Sequence, residues 1–323
     1  MTRFTNRFRL LASALTLAAA GLASNAVARG GGSAEDLEDV RYKTTEIDGL
    51  EIFYREAGDP ANPAIVLLHG FPTSSHMYRD LIPELSEDFY VVAPDFPGFG
   101  FSDAPPHNEW DYTFHNISMV VEEFIEERGI DSASFYVMDY GAPVGYRIFE
   151  RNPELVDAFI IQNGNAYEEG LREFWDPIKA YWADPSDENR EALAFLITKE
   201  ATIWQYTTGV RNVENISPDT WDHVQPLLDR PQSKDIQLDL FLDYGTNVPR
   251  YETWQAMFRE HQPRALILWG ANDPIFPAEG AGPYTRDLID VELHMLDTGH
   301  FALEEDADVI AEEIIDFLTE SDD

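Results

Sequence analysis

The chain has 323 residues, 44% of them hydrophobic and 13% aromatic, enough to bury a full core and too apolar for global disorder. Acids outnumber bases 60 to 22, a formal charge of -38, so the basic footprint of a general nucleic-acid binder is missing. Cysteine is absent, which excludes disulfides, a thiol nucleophile and thiolate metal ligands.

The first feature in chain order is a leader. Arg3, Arg7 and Arg9 precede an apolar run from Leu10 to Ala20, and Ala26-Val27-Ala28 supplies the small residues of a cleavage site. The pattern predicts a signal peptide over residues 1–28 and an exported protein, periplasmic or secreted. Ser13 and Thr16 interrupt the run, which falls short of the roughly 20 apolar residues a bilayer span requires, so no stable membrane anchor is expected after cleavage. Residues 29–39, with Gly30-Gly31-Gly32-Ser33, read as a flexible acidic leader.

Three of the 22 bases lie in the signal peptide, which leaves 60 acids against 19 bases, a charge of -41. The acids are spread along the chain and only four bases are lysines. Such an even spread predicts a self-repelling acidic surface suited to a saline habitat, where the Debye length contracts to about 3 Å at 1 M salt.

From residue 40 the recurring pattern is strand then helix. Apolar, β-rich runs occur at Leu50 to Glu56, Ala64 to Leu68, Phe89 to Ala93, Ser134 to Val137, Ala158 to Ile161, Ala265 to Trp269 and Val291 to Met295. Helical patterns fall at His76 to Leu85, Ile117 to Arg128, Ala142 to Arg151, Ala278 to Leu288 and Val309 to Leu318. This alternation predicts an α/β fold with a mostly parallel sheet covered by helices on both faces. It is interrupted over residues 165–263, a helical stretch rich in aromatics and without a buried-strand run, read as a cap inserted into a core of residues 40–164 and 264–323. Ligands of a doubly wound sheet bind beyond the carboxyl ends of its strands, the place such an insertion would cover.

Four short segments follow predicted strands. His69-Gly70-Phe71-Pro72 is a Gly turn that can leave the Phe71 N–H aimed into a cleft. In Val137-Met138-Asp139-Tyr140-Gly141 a strand ends on Asp139 and a helix opens at once, the frame of a nucleophile elbow. The bland alternative for Asp139 is a helix N-cap. Gly270-Ala271-Asn272-Asp273 places a carboxylate in a turn, and Gly299-His300-Phe301 follows the last strand. Each segment is weak alone, but nucleophile, acid and His in this chain order are what three neighbouring strand ends would carry.

With Asp95-Phe96-Pro97-Gly98-Phe99-Gly100-Phe101-Ser102 added, the chain from about residue 40 resembles the α/β-hydrolase superfamily. The resemblance implies an eight-stranded, mostly parallel sheet with flanking helices and an inserted helical cap. No Gly-x-Ser-x-Gly occurs, and an aspartate at the elbow looks like the epoxide hydrolase and haloalkane dehalogenase branch. A carboxylate, with a reference pKa of about 3.9, is already ionised at neutral pH and can attack saturated carbon unaided. The implied roles are Asp139 as nucleophile, His300 as the base that activates water, Asp273 as its orienting acid, and the N–H groups of Phe71 and Tyr140 as oxyanion donors.

The expected partners are a small apolar epoxide or halogenated substrate and water; no cofactor and no metal are expected. Relatives that release halide use Trp or Asn donors where this chain has Tyr140 and Phe71, although Trp175, Trp182 or Trp204 could substitute. Relatives that open epoxides use two cap tyrosines as donors to the leaving oxygen, and Tyr181 and Tyr244 sit at about the expected places, with Tyr206 and Tyr251 in reserve. Epoxide hydrolysis is therefore the preferred expectation, haloalkane dehalogenation the alternative, and a ligand-binding relative without catalysis the third reading.

The surface reading predicts that the thermal unfolding midpoint rises as NaCl is added, and a flat or falling midpoint would refute it. The leader reading predicts a mature protein that begins near Arg29, and N-terminal sequencing that finds Met1 retained would overturn it.

Overall fold

The computed structural model describes residues 39–319; the predicted signal peptide and nearly all of the acidic leader lie outside them. Eight strands form one sheet: β1 (Arg41–Ile47), β2 (Leu50–Ala57), β3 (Ala64–Leu68), β4 (Tyr90–Pro94), β5 (Ala133–Met138), β6 (Val156–Gln162), β7 (Arg264–Gly270) and β8 (Val291–Leu296). Their order is β1-β2-β4-β3-β5-β6-β7-β8. The β1/β2 and β2/β4 pairs are antiparallel and the remaining pairs parallel. The central strands are continuous apolar runs, buried throughout β5 and over most of β3, β6 and β7, as a sheet covered on both faces requires.

The core helices are α1 (Leu81–Leu85), α2 (Phe114–Glu127) and α3 (Gly141–Arg151). Between β6 and β7 the chain leaves the sheet for a helical insert that carries α4 (Asp176–Ala183), α5 (Asp187–Ala192), α6 (Lys199–Thr207), α7 (Asp219–Leu228), α8 (Ser233–Asp243) and α9 (Tyr251–His261). A last helix, α10 (Leu303–Thr319), returns to the core. No helix among the described residues is long and apolar enough to cross a membrane.

Three details depart from the sequence reading. Strand β1, Arg-Tyr-Lys-Thr-Thr-Glu-Ile, was not anticipated because it is mostly polar and never fully buried before Ile47; charged residues are what an edge strand carries to discourage further pairing. The helix expected over Ala278 to Leu288 is two short 3₁₀ turns, Ala278–Gly280 and Gly282–Arg286, since two glycines and Pro283 fall in its first six residues. The pattern from His76 to Leu85 likewise divides into a 3₁₀ turn, Ser75–Tyr78, and α1.

Parallel register brings the carboxyl ends of the strands level. Leu68 pairs with Val137, Met138 with Gln162, and Gly270 with Leu296, so residues 69–71, 139–140, 163, 271–273 and 298–300 emerge along one edge. Strand β5 lies centrally and delivers Asp139 to the middle of that edge.

Candidate active site

Asp139 stands at a turn too sharp for an ordinary residue. Its φ is +49°, in the left-handed region that costs a residue with a Cβ about 1–2 kcal/mol. The turn closes only because its neighbours are glycines. A Cβ on Gly141 would lie 2.0 Å from the Leu68 carbonyl oxygen, and one on Gly70 would lie 2.3 Å from the Cβ of Asp139. The N-cap alternative fails, because the cap of α3 is Tyr140 and the Asp139 carboxylate points toward the cleft.

That carboxylate is held asymmetrically. Oδ1 accepts the N–H of Phe71 at 2.6 Å and the N–H of Tyr140 at 2.7 Å. Oδ2 faces His300, whose Nε2 lies 3.9 Å away, beyond hydrogen-bond reach. The same two N–H groups that fix the free carboxylate would therefore hold the carbonyl oxygen of an ester made through Oδ2.

His300 is buried, and its Nδ1 lies 2.7 Å from Oδ2 of Asp273. An ionised carboxylate only accepts, so Nδ1 carries the hydrogen and the neutral ring keeps its lone pair on Nε2. That nitrogen has no hydrogen-bond partner among the described residues. Asp273 is fixed in turn by the Ile275 N–H on Oδ1 at 2.7 Å and by Asn163 Nδ2 on Oδ2 at 2.8 Å. Asn163 also accepts the Gly270 N–H and has a left-handed φ of +43°, which Asn tolerates better than most residues. The sequence reading missed it; its only signal is an amide directly after β6 at a predicted strand end.

His69 plays a different part from its neighbours. It is buried, accepts the Phe96 N–H on Nε2 at 3.0 Å, and burial pushes its pKa down to about 3, so it is a neutral clamp between two loops.

Electrostatics sort the two ionisable partners. Burial pushes Asp139 up to about 6, opposed by the His300 charge and by the Phe71 and Tyr140 N–H groups. Burial lowers His300, but the charge and hydrogen bond of Asp273, with Asp139 behind them, outweigh that and hold it above its ordinary value.

Over Asp139 lies a small cavity of about 20 Å³, enough for about one water molecule. Phe71, Tyr140 and Ile275 wall it from the core; Phe174, Trp175, Ile178, Leu196, Gln205, Phe241 and Tyr244 close it from the insert. Larger surface grooves of about 530, 790 and 350 Å³ contain none of Asp139, Asp273 and His300.

Of the tyrosines expected as donors, the structure brings Tyr244 to the cavity and leaves Tyr181 away from it. Tyr181 is buried, but its oxygen accepts Arg190 Nη1 at 3.1 Å, and it forms no part of the cavity wall. The Tyr244 hydroxyl approaches that of Tyr251 without closing a hydrogen bond of normal geometry. Burial raises its pKa, so the phenol keeps its proton. The reserves lie outside the wall: Tyr206 stacks on Phe301 at 4.0 Å, and Tyr251 accepts Asn165 Nδ2 at 3.0 Å. Trp175 and Trp182 donate their indole N–H groups to the carbonyls of Ile275 and Phe241, and Trp204 is 37% exposed.

Among the described residues, the Tyr140 hydroxyl and the Gln205 amide nitrogen are buried without a hydrogen-bond partner, and the Tyr244 hydroxyl has only its approach to Tyr251. No group of His, Cys, Asp and Glu among the described residues is disposed to hold a metal.

A strained strand-to-helix elbow with a carboxylate, a histidine and a second carboxylate on neighbouring strand ends is the arrangement of a hydrolase of the α/β class. Residues 63–307 match the family model for the alpha/beta hydrolase fold, and the chain belongs to that family. It is 40% identical over 284 residues to an uncharacterized hydrolase of Saccharomyces cerevisiae, which covers 87% of this chain and 97% of the yeast protein. A haloalkane dehalogenase of Bradyrhizobium diazoefficiens is 33% identical over 118 residues, 36% of this chain and 37% of its own. Among solved structures, haloalkane dehalogenase DbeA from Bradyrhizobium elkani superposes with a TM-score of 0.71 at 19% identity, over 85% of this chain and 96% of that one. The epoxide hydrolase CorEH superposes at 0.70 and 18% identity, over 87% and 99%. The chain thus falls in the part of the family that resembles dehalogenases and epoxide hydrolases.

A nucleophilic Asp139 would have to be ionised and a water-activating His300 would have to be neutral, so both roles would fail on the acid side. The expected kcat/KM, which ends at the alkylation step, falls about tenfold per unit below about pH 6, while the hydrolysis step slows from higher pH because His300 is held above its ordinary value. A kcat/KM that stays flat down to about pH 4.5 would show that Asp139 keeps the ordinary carboxylate range.

Proposed function

We propose that the protein is an epoxide hydrolase that works through an alkyl ester of Asp139. The observation that carries this reading is the divided carboxylate, with Oδ1 tied to two N–H groups and Oδ2 free beneath a cavity that offers proton donors. In the first step Oδ2 bonds to a ring carbon while the C–O bond breaks toward the oxygen, which takes the proton of Tyr244. In the second, His300 removes a proton from water as the water oxygen attacks the ester carbonyl. The charge that develops on Oδ1 meets the Phe71 and Tyr140 N–H groups already in place. Collapse frees the diol and restores Asp139, and the proton taken by His300 replaces the one Tyr244 gave up, directly or through solvent.

A phenol suits this leaving group because the oxygen stays on the product and must be protonated, whereas a halide ion needs only N–H or ring-edge contacts. The indole N–H groups of Trp175 and Trp182, which could have gripped halide, are engaged by carbonyls. Halide release is the second reading, favoured by the relatives that carry the name haloalkane dehalogenase. The helical insert acts as the cap that excludes bulk water, and export through the leader is proposed with it.

The test is intact-protein mass spectrometry of His300→Gln, in which the ester should form and persist. A terminal or aryl epoxide should add its whole mass once per chain, on the peptide containing Asp139, and Asp139→Ala should add none. Tyr244→Phe in the same background should slow that addition by about 10² or more, the usual scale for a lost acid. An adduct from 1-bromoalkanes alone, lighter than the reagent by HBr, would transfer the assignment to dehalogenation. No adduct from either class would leave a ligand-binding protein without this chemistry.

A further inference from the structure

One polar residue of the cavity wall is used by neither the elbow nor the tyrosine. Gln205 lies on α6, is 3% exposed, and its Nε2 has no hydrogen-bond partner among the described residues although the residue forms part of the cavity wall. The buried amides Asn163 and Asn165 donate within the core and Gln225, packed beside α6, bonds the Ile197 carbonyl; Gln237 and the Asn247 Nδ2 are also unpaired among the described residues, but neither residue belongs to the cavity wall.

The end of α6 is firmly seated, so Gln205 is not a loose side chain. Tyr206 stacks on Phe301 with centroids 4.0 Å apart, and the Thr208 carbonyl presses on Gly299 so closely that a Cβ there would lie 2.1 Å away. Gln205 therefore reaches the cavity from the side of the loop that carries His300. Tyr244 comes from another wall, packed on Trp175 at 4.5 Å and tilted against Tyr140 at 6.0 Å. With room for about one water between these walls, a small substrate can present a single polar atom to both.

We propose that Gln205 is the second ligand of the leaving oxygen, paired with Tyr244, in the role expected from the sequence for Tyr181. An amide N–H does not ionise, so it can stabilise the developing alkoxide but cannot protonate it. The two donors act differently on one atom. Tyr244 transfers its proton as the C–O bond breaks, and Gln205 holds the same oxygen before and after without gaining or losing one. This inference rests on the alkyl-ester reading.

Single-turnover alkylation in the His300→Gln background isolates the step. Gln205→Met keeps length and volume without a donor, and Gln205→Glu keeps the shape while its ionised form only accepts. Each should lower the saturating alkylation rate by an epoxide about 10- to 100-fold and leave the apparent Kd nearly unchanged. Either variant alone suffices if the other does not fold. An unchanged saturating rate, or a loss confined to the apparent Kd, would overturn the assignment and make Gln205 a packing residue. Failure of the alkyl-ester reading is separately visible, because the His300→Gln parent would then take up no adduct at all.

Discussion

Everything at this site hangs on one backbone turn. Asp139 is held at positive φ between β5 and α3, and the turn exists because Gly70 and Gly141 let three chain segments approach where a methyl group would collide. The conformational cost of about 1–2 kcal/mol is offset by the close packing of the apolar strands on either side. The result is a carboxylate presented in one orientation, with one oxygen tied to backbone and the other free. A rotating side chain on a loop could not keep that distinction, and the two-step chemistry proposed here depends on it.

Burial gives the turn its electrostatic consequence. Asp139, Asp273 and His300 are each less than 5% exposed, so their mutual charges act through a medium far less screening than water. Asp273 can then hold the His300 proton on Nδ1 and raise its basicity, while Asn163 and the Ile275 N–H keep Asp273 from turning away. The insert completes this dry environment by placing aromatic walls over the carboxylate.

Several of the scarce basic residues lie where the insert meets the core. Arg211 pairs with Asp306, Arg250 with Glu150, Arg259 with Asp287 and Arg286 with Glu169, each bond joining the insert to a core helix or loop. Exposed pairs of this kind contribute about 0–1 kcal/mol each, so they register the insert on the core more than they stabilise it. On so acidic a chain, an arginine at the junction also replaces what would otherwise be a repulsive acid–acid contact.

The sequence by itself determined the sheet, because its buried strands are apolar runs whose burial does not depend on what lies far away in the chain. It also placed Asp139, Asp273 and His300 at strand ends, since a turn residue after such a run can only emerge at the sheet edge. It missed β1, whose polar alternation reads as loop until β2 is beside it, and it extended a helix through Gly280, Gly282 and Pro283. Asn163 and Gln205 were illegible for another reason: an amide has no meaning until its partner, or its want of one, is known. The choice between Tyr181 and Tyr244 belonged to the tertiary structure alone. Both are buried aromatic residues of the insert, and only the packing of α4 and α5 turns one hydroxyl to Arg190, while the end of α8 seats the other residue in the wall of the carboxylate's cavity.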